Sequence, residues 1–173
     1  MRLAFSRERT LPHVAHKGFF RPVPPMRINA RGRFQGYASL FGVMDLSRDI
    51  VLPGAFRDSL ARRGASGIKQ LWQHDPGQPT GIWVEIREDK KGLFVKGALN
   101  LAVPRAQHLH SLISHGALDG LSIGYRTEID RRDPATGARW LEKIDLWEIS
   151  LVTFPLLPQA RIAALSEESA ALM

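Results

Sequence analysis

Gly116-Ala117-Leu118-Asp119-Gly120-Leu121-Ser122-Ile123-Gly124-Tyr125-Arg126 runs from a loop holding two glycines into a segment of alternating apolar and polar residues. Continued to Asp130, the segment places Leu121, Ile123, Tyr125, Thr127 and Ile129 on one face of a strand, and Ser122, Gly124, Arg126, Glu128 and Asp130 on the other. Strand side chains alternate with period two, so the first set predicts a core face and the second a polar face. Ser122 then sits near the strand start, with only hydrogen at Gly124, its nearest neighbour on that face. The position suits a nucleophile, and it suits an ordinary surface serine equally.

Outward from this strand the chain is dominated by hairpin signals. Leu121–Arg132 and Arg139–Ile144 flank Asp133-Pro134-Ala135-Thr136-Gly137, and Thr80–Glu88 and Leu93–Leu99 flank Asp89-Lys90-Lys91-Gly92. Trp147–Phe154 predicts a last strand, stopped by Pro155 and Pro158. Earlier strands are expected at Arg33–Phe41, Asp49–Leu52 and Ile68–Trp72, the last leading into a turn at His74-Asp75-Pro76-Gly77. A helix is expected from Pro53 to Gly64, with Phe56 and Leu60 on one face. A second is expected from Pro104 to His115, with Leu109, Leu112 and Ile113 as its stripe and Gly116 just past its end. Six to eight strands, mostly in hairpins, with two helices between them, predict an α+β fold, mainly β. The sheet or barrel is antiparallel and flanked by helices.

The chain has 173 residues, enough for one domain with a real core. It has no cysteine, which excludes a disulfide framework, a thiolate metal site and a cysteine nucleophile, and fits a reducing compartment. No run approaches the roughly 18 apolar residues of a membrane span, and Met1 to Thr10 lacks the apolar region of a secretory signal. The expectation is a protein that stays inside the cell that makes it, with no membrane partner. The net charge of +7 is not spread evenly. Residues 1–33 hold eight basic residues against the single acid Glu8, and the other 140 residues carry 16 bases and 16 acids. A neutral body thus carries a basic, Pro-containing arm over 1–32, ahead of a domain at 33–159 and a tail or short helix at 160–173. The neutral body argues against nucleic acid as the main partner.

No phosphate-cradling glycine loop is present. His108, His110 and His115 lie on the second predicted helix, but no carboxylate stands at metal-binding spacing, so a metal site is not expected. His13 and His16 fall on the arm. His74 differs: a strand anchored by Leu71 and Trp72 delivers it to a loop edge, where a general base is well placed. For an acid partner, the last strand offers Glu148, on the face of Leu146 and Ser150, and Asp145, on the face of Trp147 and Ile149. Burying a charge among apolar groups is costly, which favours Glu148 and leaves Asp145 as the alternative.

Six stretches taken together resemble one family. They are Gly36–Gly42 (GYASLFG), Asp49–Phe56 (DIVLPGAF), Leu71–Pro76 (LWQHDP), Gly81–Trp83 (GIW), Gly116–Arg126 (GALDGLSIGYR) and Asp145–Pro155 (DLWEISLVTFP). In this order they are similar to the prohead (procapsid maturation) serine proteases of tailed bacteriophages, which share a fold with the herpesvirus assemblins. The resemblance covers about residues 33–162. It implies a serine endopeptidase with Ser122 as nucleophile, His74 as general base and an acid on the strand after the nucleophile, best matched by Glu148. It implies no cofactor and no metal. The implied partners are the scaffolding region of a major capsid protein or a separate scaffold protein, and the protease itself through autocleavage. A homodimer or oligomer is compatible with it. The implied location is the host bacterial cytoplasm, inside the assembling prohead. The alternative is a catalytically inactive assembly or scaffold protein that keeps the fold. Oxyanion donors are expected to be backbone N–H groups, with the loop after Phe154 as the candidate. The sequence departs from the family pattern at Leu46-Ser47-Arg48-Asp49, where many relatives carry glycine before the second aspartate, so substrate preference is where it is expected to differ.

Overall fold

The computed structural model describes residues 26–165. Within them lie, in chain order, β1 (Arg33–Leu40), β2 (Asp49–Val51), α1 (Arg57–Gly67), β3 (Lys69–Trp72), β4 (Asp75–Glu88), β5 (Gly92–Leu99), α2 (Pro104–Ser114), β6 (Gly120–Arg132) and β7 (Arg139–Val152). The strands form one curled, barrel-like sheet ordered β1-β5-β4-β3-β7, with β6 on the far side of β7 and β2 beside the start of β7. The core is apolar and fully covered, with Phe34, Phe56, Leu93, Leu121, Ile144, Leu146, Ile149 and Leu151 among its most buried side chains. Among the described residues no helix is long and apolar enough to cross a membrane.

The hairpins β4/β5 and β6/β7 form as their turn chemistry predicts, and both are antiparallel. The sheet as a whole is not. β7 runs parallel to β3 and to β2. Turn signals report only on strands adjacent in sequence, and these partners are far apart in the chain. The two strands expected at 139–144 and 147–154 are one continuous strand. Asp145, in the gap between the two expected strands, is held within it by Arg62, Arg63 and the Trp147 indole.

A β-bulge at Trp147 resets the faces of β7. Gly124 pairs with Glu148 but Tyr125 pairs with Leu146, so Trp147 is the unpaired extra residue. Leu146 therefore joins Ile149 and Leu151 in the core instead of sharing the face of Glu148, and Trp147 is exposed. A second irregularity, between Thr127 and Ile129, turns Ile129 out to solvent despite its place in the apolar alternation.

The first helix begins four residues later than Pro53 suggests. Gly54 takes φ +91°, a turn conformation that keeps Pro53 and Gly54 out of the helix. Gly64, expected to end the helix, instead kinks it at φ 59°. α2 ends as expected, with Gly116 at φ 72° and its N–H on the Ile113 carbonyl. The turn expected at His74-Asp75-Pro76-Gly77 lies instead at Gln73–His74, and β4 already starts at Asp75.

The packed body extends past 33–159 at both ends. Ile28 is buried, and the Met26 carbonyl accepts the Leu165 N–H. Residues 160–163 form no helix. They lie between the edges of β6 and β1, where Ala160 O accepts the Leu121 N–H and Ala163 N–H donates to Gln35 O. Gly36 permits this closure: a Cβ there would stand 2.2 Å from the Arg161 carbonyl oxygen. Arg27 and Arg161 both bind Asp119, tying the two ends of the body to the loop before β6. Arm residues 1–25 and tail residues 166–173 lie outside the described residues.

Candidate active site

β6 and β7 pair so that Ser122 faces Ser150 and Gly124 faces Glu148. All four lie on the face away from the Leu121–Ile149 core. β3 runs beside the same part of β7 and ends in Gln73 and His74, at φ 52° and 60°. Two consecutive non-glycine residues in the left-handed region cost roughly 1–2 kcal/mol each, so this turn is held by its surroundings. The Gln73 N–H donates to Leu151 O at 3.1 Å, its side-chain amide donates to Thr153 Oγ1 at 2.9 Å, and the His74 N–H donates to Ser150 Oγ at 3.0 Å. The turn lays the imidazole across β7.

His74 Nε2 lies 3.0 Å from Ser122 Oγ, and His74 Nδ1 lies 2.6 Å from Glu148 Oε1. With Glu148 ionised, Nδ1 carries the proton and the Nε2 lone pair faces the serine hydroxyl. The hydrogen bond to Glu148 raises the His74 pKa above its ordinary value, while partial burial pulls the other way and loses. Glu148 is also bound at its second oxygen, by the Ser150 hydroxyl at 2.6 Å. Ser122 is only 6% exposed, so its face is sheltered, not solvated as alternation alone implied.

Asp145, the alternative acid, is elsewhere. It faces α1, where Arg63 binds both its oxygens and Arg62 and Trp147 add further bonds. Hydrogen bonds from Arg63 first, then from Trp147, hold its carboxyl well below the usual carboxylate range. Its role is to fasten α1 to β7. Asp145→Ala is expected to lower stability by about 2–3 kcal/mol, a value kept modest because both arginines reach solvent. Urea unfolding would measure this. Asp145 has a depressed folded-state pKa, so its contribution is complete above the unfolded pKa near 4 and is lost as pH falls through the depressed value.

Two of the three histidines expected on the second helix have backbone partners: His110 Nε2 bonds the Asn29 carbonyl, and His115, just past the end of α2, bonds the Ser111 carbonyl through Nδ1. Among the described residues no group of three or more His, Asp or Glu is arranged to hold a metal ion. His13 and His16 lie outside the described residues. Beside Ser122 a pocket opens between β1, the loop around Asp45 and Ser47, β6 and the segment Leu156–Leu157. The stretch that departs from the family pattern thus reaches the wall of this pocket. Sequence reasoning missed Ser150, although its place two residues after Glu148 on one strand face was the available signal.

The sequence profile of the caudovirus prohead serine proteases matches residues 25–173. The prohead protease of Enterobacteria phage HK97 is 37% identical over 137 residues, 78% of this chain and 60% of that protein. The prohead protease of Escherichia phage T5 is 31% identical over 126 residues, 71% of this chain and 58% of that protein. The chain therefore spans about 60% of the length of these curated relatives. Among solved structures, the bacteriophage T4 capsid assembly protease superposes with a TM-score of 0.55 at 14% identity, covering 71% of this chain and 82% of that one. The KSHV protease superposes at 0.51 and 13% identity, covering 81% and 73%. At such identities these two structures speak for the fold alone.

Proposed function

This chain belongs to the caudovirus prohead serine protease family, and from that premise we propose that it is a serine endopeptidase of capsid maturation. The observation that carries the reading is one imidazole bonded to Ser122 Oγ on one side and to a carboxylate on the other. In this reading Ser122 Oγ attacks the scissile carbonyl carbon while His74 Nε2 takes its proton. The tetrahedral intermediate then collapses, the C–N bond breaks, and His74 returns the proton to the leaving amine. Water, deprotonated by the same nitrogen, releases the acyl group from Ser122. Glu148 keeps the Nδ1–H tautomer and stabilises the imidazolium. The oxyanion donors in this reading are backbone N–H groups of the loop after Phe154, whose Leu156 and Leu157 line the pocket beside Ser122.

The proposed substrates are the scaffolding region of a major capsid protein or a separate scaffold, and the enzyme's own chain, inside the assembling prohead. The part of the basic arm that precedes the packed residues 26–32 is assigned to docking on acidic scaffold or to removal. An intact hydrogen-bonded Ser–His–Glu arrangement supports this reading over that of an inactive assembly protein. The test is co-expression with the major capsid or scaffold protein of the same genome. Discrete shortening of that protein is expected, and it should stop when Ser122 carries a fluorophosphonate adduct. Full-length assembly proteins beside a folded, unmodified enzyme would overturn the reading.

A pH dependence follows from the raised His74 pKa. The neutral imidazole is the active form, so activity falls as pH drops through that pKa. The acid limb of kcat/KM is expected above the ordinary histidine value near 6.5. A midpoint below that value would contradict the Glu148 bond as its cause.

A further inference from the structure

Ser150 is fully buried, with 0% exposure, yet neither bond of its hydroxyl is spent on the core. The oxygen accepts the backbone N–H of His74 at 3.0 Å, and the hydroxyl proton goes to Glu148 Oε2 at 2.6 Å. A hydroxyl has one proton to give, so the two bonds assign its roles without ambiguity. The groups it joins are those on either side of the imidazole. One is the left-handed turn that carries the ring, and the other is the carboxylate that orients it.

We propose that Ser150 is a positioning residue that sets the geometry of His74 and Glu148 together. This rests on the peptidase reading of Ser122. Glu148 has two oxygens and needs both fixed if Oε1 is to point at Nδ1: with Oε2 free, the carboxylate can rotate about its last bond. His74 sits in backbone conformations that non-glycine residues seldom adopt, and its own N–H is one of the few tethers of that turn. No water replaces the hydroxyl readily at a fully buried position, so its removal unties both partners at once. Ser122 itself is directly opposite Ser150 in the ladder, so any shift of the imidazole is registered against a fixed nucleophile.

The experiment measures phosphonylation by a small fluorophosphonate. In that reaction Ser122 Oγ bonds phosphorus, fluoride leaves, and His74 takes the hydroxyl proton. Ser150→Ala is expected to slow the saturated rate by about 100-fold, the scale of an ångström misplacement, with little change in the half-saturating concentration. In a Glu148→Ala background the same substitution is expected to cost only a few-fold. The low-field proton resonance of His74 Nδ1–H is expected in the wild type and lost in Ser150→Ala. A wild-type rate in Ser150→Ala, an equal slowing in both backgrounds, or an unchanged His74 resonance would each overturn the proposal. If Ser150→Ala does not fold, Ser150→Cys, slightly larger and a weaker donor, is expected to fold and to react roughly 10-fold more slowly than the wild type, and a wild-type rate in it would overturn the proposal. Absence of labelling at Ser122 in the wild type would instead overturn the peptidase reading, and the resonance would still report on Ser150.

Discussion

Ser122→Ala is expected to leave a co-expressed capsid or scaffold protein at full length while the enzyme remains folded. Where nucleophile and base act as one unit, removing either costs on the order of 10⁶ in turnover, and oxyanion stabilisation and binding retain the remainder. The two halves of the expectation come from different features. The side-chain bond of the Ser122 hydroxyl goes to His74, which is 44% exposed and can bond water instead. The core beneath the site is made by Leu121, Ile149 and Leu151, which the substitution does not touch. Thermal unfolding should therefore shift by only a degree or two, roughly the consequence of a few tenths of a kcal/mol in a domain of this size. Full processing by the Ser122→Ala enzyme would remove Ser122 from the nucleophile's role. Loss of processing together with loss of folding would show that the hydroxyl is structural.

How far these residues could be placed from sequence depended on which rule governed each of them. The start of β6 was legible because alternation there is unbroken: Leu121 is fully buried, and Ser122 and Gly124 share the opposite face. Glu148 was correctly separated from the core, but for a reason only partly right. Period two assigned Leu146 to its face, whereas the bulge at Trp147 puts Leu146 inside. A bulge adds one residue without any required glycine or proline, so nothing in the composition announces it. His74 was legible as a strand-end residue, but its left-handed backbone was not, since the turn residues Pro76 and Gly77 drew attention downstream. The closure of the sheet by residues 160–163 was hidden for another reason. Its hydrogen bonds are backbone to backbone across distant strands, and the only trace is Gly36, where the carbonyl of Arg161 leaves no room for a side chain.

Gly124 has a comparable meaning at the site, and Gly124→Ala is the sharpest single substitution it offers. A Cβ built on Gly124 would stand 1.9 Å from Glu148 Oε1 and 2.7 Å from its Cδ. The atoms in the way belong to the end of a side chain, so the backbone of β6 need not move, and Gly124 is not among the residues with positive φ. The fold should therefore survive with little loss. The displaced atom, however, is the oxygen bonded to His74 Nδ1. Pushed aside, Glu148 no longer fixes the tautomer or stabilises the imidazolium, and losing the acid of such a triad costs about 10⁴ in turnover. The pH profile separates this cause from a general disturbance. The Glu148 bond is the largest cause of the raised His74 pKa, so the acid limb should move down towards the ordinary histidine value as kcat falls. Glu148→Gln, which keeps the shape but not the charge, should move the limb the same way without a new methyl group. A large fall in kcat with an unmoved acid limb would mean that the added methyl acts on Ser122 or on substrate directly. A wild-type rate would mean that Glu148 finds a second productive position, which Ser150, bound to its other oxygen, is placed to prevent.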